Sequence, residues 1–252
     1  MDLRFVIRDW AALGPGLHTK QQWQAWARSP TPLSGDLPAP DLAEVPPMLR
    51  RRISPLGRLA FQAAYWCHAA EPGMPVVWVS RFGEVSRCLE LLDDLNRGES
   101  VSPTAFGLSV HNAVSAQYSI ARGDRGNHTA LAAGQAGVVS AIVEAIGLLQ
   151  DGDHAEVLVV HYDAPLPGAY ADFDIDTSPP CAWALRLALP KPGEPCLSLR
   201  HDDAPGAIAA TAWPASLEWL RFAIQEEASR APALTQHAEG QCWTWRHHGA
   251  AA

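Results

Sequence analysis

The stretch "NHTALAAGQAGVVSAIVEAIGLLQDGDHAEVLVVHYDA", Asn127 to Ala164, decides the fold. It opens on "NHTALAA", a short run of strand character that ends at Gly134. From there to Gly152 the apolar residues Val138, Val139, Ile142, Val143, Ile146, Leu148 and Leu149 surround a helix, with Ser140 and Glu144 as the polar exceptions. A helix that is apolar nearly all round is predicted to lie inside a large core, not on a surface. "EVLVVHYDA" then reads as a second strand. Strand, helix, strand in this order marks a layered α/β fold.

Working outward, "LRFVIRDWAAL" (Leu3–Leu13) has strand character. "TKQQWQAWARS" (Thr19–Ser29) predicts a short helix with Trp23 and Trp26 on one face. Residues 30–47 are Pro-rich and predict an irregular surface loop. From Met48 to Cys67, Leu49, Ile53, Leu56, Leu59, Ala60, Ala63, Ala64 and Cys67 recur at helical spacing. "PVVWVS" (Pro75–Ser80) is continuously apolar, as in a strand buried on both faces. "EVSRCLELLDDLNRG" (Glu84–Gly98) predicts an amphipathic helix ended by its Gly. A loop follows, then a helix from about Ser109 to Arg122. Beyond Pro167, "CAWALRLAL" and "PCLSLRH" predict two strands joined as a hairpin by "PKPGE". "SLEWLRFAIQEE" predicts a helix with Ser216 as its N-cap, and "CWTWRHH" a last strand.

The chain has 252 residues, 48% of them hydrophobic and 18% charged, which supports a substantial core and argues against global disorder. Its net charge of −8 argues against nucleic acid as the main partner. No apolar run is long enough to span a membrane. "MDLRFVIRDW" lacks the apolar centre of a signal peptide, so a cytoplasmic location is expected. Cys67, Cys88, Cys181, Cys196 and Cys242 form no C-x-x-C pair, and most of them read as buried thiols. The ten His residues show no metal-binding spacing, so neither metal nor cofactor is expected.

"PMLRRRISPLGRLAFQAA" and the run from Ser102 to Val160 resemble the N-terminal half of a β-ketoacyl synthase. Ser102, Pro103, Asn112, Gly123, Arg125, Gly126 and Gly152 fall in register with that family's pattern, and the resemblance covers roughly residues 45–165. It implies an α/β fold that is half of a thiolase-like (ketosynthase) fold, a mixed sheet covered by helices. Residues 1–252 then form a single truncated ketosynthase-like domain whose segment 168–252 diverges from the pattern.

In this register the family's nucleophilic Cys falls at Gln135, and no His can be matched to the family's catalytic His motifs. A ketosynthase needs a thiolate to receive an acyl group and imidazoles to promote decarboxylation. A neutral amide can donate and accept hydrogen bonds but cannot form a thioester. The resemblance is therefore to non-catalytic chain-length factors, in particular half-length forms of aryl polyene and xanthomonadin-type pigment clusters. It implies a heterodimer with a full-length β-ketoacyl-ACP synthase, and an acyl carrier protein as a further partner.

It also implies roles for particular residues. Ala105, Phe106, Ser109 and Ala113 would gate the length of the partner's acyl tunnel. Asn112, Asn127, His128, Thr129 and Leu131 would lie at the interface. Arg50, Arg51, Arg52 and Arg58 form a basic cluster that is either a solvated face or a carrier-protein patch. Two alternatives stand beside this reading. One is a scaffold module that binds carrier protein without affecting chain length. The other is a malonyl-thioester decarboxylase using Gln135. "GLSVH" (Gly107–His111) is a poor match to a hydrolase elbow. His128 and His161, on either side of Gln135 in sequence, read as structural.

Overall fold

The computed structural model describes residues 2–68, 73–202, 213–226 and 231–249. One eight-stranded mixed sheet runs through it. Its strands are β1 (Asp2–Leu13), β2 (Val76–Val79), β3 (His128–Leu131), β4 (Val157–Asp163), β5 (Cys181–Ala188), β6 (Cys196–Asp202), β7 (Ala233–Ala238) and β8 (Gln241–His248), in the spatial order β3-β2-β4-β5-β1-β6-β8-β7. β3, β2 and β4 are mutually parallel, and the remaining pairings are antiparallel. The helices are α1 (Lys20–Arg28), α2 (Pro47–Arg50), α3 (Pro55–Cys67), α4 (Val85–Asn96), α5 (Pro103–Gly107), α6 (Ala113–Arg122), α7 (Gly137–Gln150) and α8 (Ala215–Ile224).

Helix α7 crosses from β3 to β4 over β2. It buries Ala141, Ile142, Ala145 and Ile146 against Val77, Val79, Val157 and Val159 on one face of the sheet. The other face carries α3, whose Leu59, Phe61 and Ala64 meet Trp78, Leu158 and Val160, with Tyr118 of α6 in the same cluster. β2 and β4 are therefore buried on both faces, which is why β2 and the first four residues of β4 are continuously apolar rather than alternating. One side of α7 is less covered than its composition predicts: Val143 is 39% exposed. Trp23 and Trp26 share the buried face of α1, with edge-to-face rings 5.4 Å apart.

Local signals misplaced several elements. β5 and β6 are not a hairpin, because β1 lies between them: Leu13 pairs with Ala182 and Phe5 with Leu197. The connection "PKPGE" spans one intervening strand, and its turn residues read the same in either arrangement. The helical pattern from Met48 breaks before Ser54-Pro55. Pro55 begins α3, and the Ser54 hydroxyl caps it by accepting from Gly57 N at 2.9 Å. Ser216 is not the cap of α8; it lies buried inside the first turn. The group at that end is Asp176, whose carboxylate accepts from Ala215 N at 3.1 Å, a contact no local pattern reveals. The stretch before Ala113 holds α5 rather than a loop alone, so α6 starts later than expected, and β7 carries no clear strand signal.

Candidate functional site

The C-terminal ends of parallel β2, β3 and β4 converge, as they do where open α/β sheets build their sites. β2 continues into Ser80 and Arg81, β4 ends on Asp163, and β3 leads into a 3₁₀ turn, Gly134–Ala136, at the head of α7. Gln135 stands in that turn and is exposed.

Beneath it is a buried charge network. Asp163 accepts from the Ser80 hydroxyl and from Arg81 N, each at 2.9 Å. His161 Nε2 lies 3.2 Å from the second carboxylate oxygen, and Arg81 Nε 3.6 Å from it. Arg81 also reaches Asp174 at 3.0 Å. Burial pushes the Asp163 carboxyl up, but the hydrogen bond and charge of His161, with Arg81 beside it, hold it below its ordinary value. Burial holds Asp176, nearby, above its ordinary value. The ring of His161 stacks on Trp183 at 4.8 Å, leaving Nδ1 buried without a hydrogen bond.

The cleft that Gln135 shares with Arg81, His161, Asp163 and Asp176 holds only about 20 Å³. That is room for one water and not for an acyl thioester. A groove of about 610 Å³ opens on the other face of the sheet, between Leu37, Leu56, Leu59, Phe82 and Pro165. Asp163 borders both spaces.

The expected tunnel residues are divided. Ala105 and Phe106 lie on α5, capped by Ser102, and Phe106 is 64% exposed. The Ser109 hydroxyl donates to Phe106 O. Ala113 is buried within the chain's own core. Asn127 precedes β3, while His128, Thr129 and Leu131 lie on it, at an edge of the sheet. Exposed Asn112 precedes α6, which packs on β3. His128 accepts from Trp78 Nε1 at 3.3 Å. Of the two His residues noted in the sequence, only His161 borders the cleft at Gln135.

Arg50 and Arg58 turn inward and donate to the carbonyls of Asp41 and Pro40, pinning the Pro-rich loop; Arg51 and Arg52 are exposed. The "GLSVH" stretch is no hydrolase elbow, since it leaves the end of α5 rather than a strand. Sequence reading missed Arg81 and Asp174 altogether, because neither belongs to a local motif. Among the described residues, no cluster of three or more His, Cys, Asp or Glu could hold a metal ion, and no helix is long and apolar enough to cross a membrane.

The family model for the β-ketoacyl synthase N-terminal domain matches residues 23–246. The chain belongs to this family, and the match runs through the C-terminal segment where the sequence resemblance had faded. Among solved structures, a chain from the ketosynthase ApeO in complex with its chain length factor ApeC, from Xenorhabdus doucetiae, superposes with a TM-score of 0.81 at 28% identity. The alignment covers 97% of this chain and 99% of that one. The ishigamide ketosynthase/chain length factor gives 0.63 at 17% identity, over 90% of this chain and 83% of that one. A β-ketoacyl synthase from Burkholderia phymatum gives 0.59 at 16%, over 81% of this chain and 66% of that one. The fold is thus thiolase-like. No curated protein matches at the sequence level.

Proposed function

We propose that this chain is a non-catalytic, chain-length-factor-like subunit that pairs with a full-length β-ketoacyl-ACP synthase and forms one wall of its acyl tunnel. The observation that carries the reading is the end-to-end likeness to a chain of a ketosynthase–chain length factor structure. Gln135 supports it: at the head of a buried helix, where the family's thiol falls in register, stands an amide that cannot carry an acyl group. The cleft there is too small for the substrate.

The partner supplies the Cys, the His pair and the chemistry. β3 supports an interface at the sheet edge, since an unpaired strand edge pairs readily with another chain. Leu92, Leu95, Phe106 and Val110, all exposed on α4, on α5 or just beyond it, give apolar surface for the partner to cover. Ala105, Phe106 and Ser109 set the tunnel length, and buried Ala113 supports them from behind. Carrier protein is met through Arg51 and Arg52. The single-domain reading is supported by β1, which pairs with both β5 and β6.

Co-expression with a full-length ketosynthase of the same biosynthetic cluster tests this. A 1:1 complex on gel filtration is expected. A stable, monodisperse chain that never co-purifies would refute it.

A further inference from the structure

The loop at the head of α7 is touched by the far end of the chain. β7 and β8 are joined by a two-residue turn, Glu239–Gly240, between the paired residues Ala238 and Gln241. Both turn residues have positive φ, 50° and 75°. A turn of this kind favours Asn, Asp or Gly at its first position, because a longer side chain crowds the backbone in the left-handed region. Here the residue is Glu, held in an unfavourable conformation, and its side chain has a definite target. The Glu239 carboxylate accepts from the backbone amide of Gln135 at 3.4 Å. The same oxygen stands over Gly134. A Cβ at Gly134 would lie 2.5 Å from it, and Gly134 itself has φ +51°. Position 134 therefore favours glycine for its backbone conformation, and an added Cβ there would push the Glu239 carboxylate aside.

The amide of Gln135 lies in the 3₁₀ turn Gly134–Ala136 that leads into buried helix α7, near the end where that helix's first N–H groups present partial positive charge. A thioester carbonyl oxygen received at this position would need a hydrogen-bond donor, and the amide of residue 135 is one beside it. The carboxylate is already there, and its charge repels the carbonyl oxygen. We infer that Glu239 is an internal latch, its carboxylate occupying the amide of residue 135 and closing the former nucleophile position against acyl thioesters. This inference rests on the register that equates residue 135 with the family's nucleophile. It adds that the site is shut by the chain's own C-terminal hairpin as well as lacking its thiol.

A thiol installed by Gln135→Cys reports on the latch. Its alkylation by iodoacetamide is followed from pH 6 to 10 by peptide-resolved mass spectrometry, which separates it from the five native cysteines. The reactive species is the thiolate, so a nearby carboxylate slows the reaction and raises the midpoint. The background is compared with the same protein carrying Glu239→Gln or Glu239→Asn. Arg81, His161, Asp163 and Asp176 border the same cleft and are constant across the series. Both substitutions are expected to lower the midpoint by about half a unit and to speed alkylation at pH 7 by about threefold. Asn, the shorter residue, is expected to be the faster, with the Tm unchanged or raised because Asn suits the turn.

Equal midpoints and rates in all three proteins would overturn the latch. So would a lower Tm for Glu239→Asn with unchanged reactivity, which would make Glu239 a turn residue only. Faster alkylation confined to an Asn variant that also melts early would overturn it too, as simple loosening. The measurement needs no ketosynthase, so failure of the heterodimer reading shows separately, in co-purification.

Discussion

Asp163→Asn tests whether the charge network under Gln135 holds the site together. Asp163 is 2% exposed and accepts from Ser80 and Arg81 N at 2.9 Å, with His161 and the Arg81 side chain also against it. Asn keeps the shape and can still accept one or both short bonds, but as neutral ones. Downgrading two charge-assisted hydrogen bonds costs about 1 kcal/mol each. Arg81 loses one of its two carboxylates but keeps Asp174 at 3.0 Å, so the further loss is about 1 kcal/mol, well short of a fully broken buried pair. The sum, about 3 kcal/mol, lowers the Tm of a chain this size by about 6–12 °C.

The pH dependence gives a second check. The folded-state carboxyl of Asp163 lies below its ordinary value of 3.8. Its contribution is therefore complete above that pH and is lost as pH falls through the folded value. Urea unfolding at pH 7 and at pH 3 or below should show the gap between parent and variant shrinking in acid. A variant that melts within about 2 °C of the parent at pH 7, less than 1 kcal/mol at this size, would refute the account. So would a gap that widens in acid.

The interface reading makes a sharper demand on β3. Carbonyls of Asn127 and Leu131 accept from Val76 N and Ser80 N, so the odd-numbered residues turn their backbone groups toward β2 and the even-numbered ones toward the open edge. Ala130→Pro therefore removes an outward N–H while sparing the β2 pairing. It is expected to abolish co-purification with the ketosynthase and leave the circular dichroism of the free chain unchanged; a retained complex would remove β3 from the interface. In a reconstituted synthase, Ala105→Trp or Ser109→Phe is expected to shorten the product and Phe106→Ala to lengthen it, read by mass spectrometry of the released chains; unchanged lengths would count against the tunnel wall. Burial pushes the thiols of Cys67 and Cys181 up to about 12. Neither is expected to react with iodoacetamide at pH 8 until the protein is unfolded, and labelling of the native protein would contradict their packing.

How much was legible depended on how local the cause was. β2, β4 and α7 could be read because burial on both faces writes itself into every position of a segment, as in "VVWV" and "VLVV". Gln135 could be placed because the turn before α7 is bracketed by glycines in a recognisable register. β7 could not, because "ALTQHA" gains its strand character only from pairing with β8. Ser216 was chosen as a cap for its chemistry, yet Asp176 reaches that helix end from the loop after β4.

The sequence by itself determined the layered α/β class, the family and the absence of a thiol at residue 135. These follow from hydrophobic periodicity and from residue identity, which are properties of neighbouring positions. Only the tertiary structure decided that β1 enters between β5 and β6, that Arg81, Asp163 and Asp174 share one buried network, and that Glu239 meets Gln135. The physical reason is the same in each case. Strand order and charge pairing are settled by which surfaces can be buried together across long loops, and no local pattern records which distant segment will supply the partner.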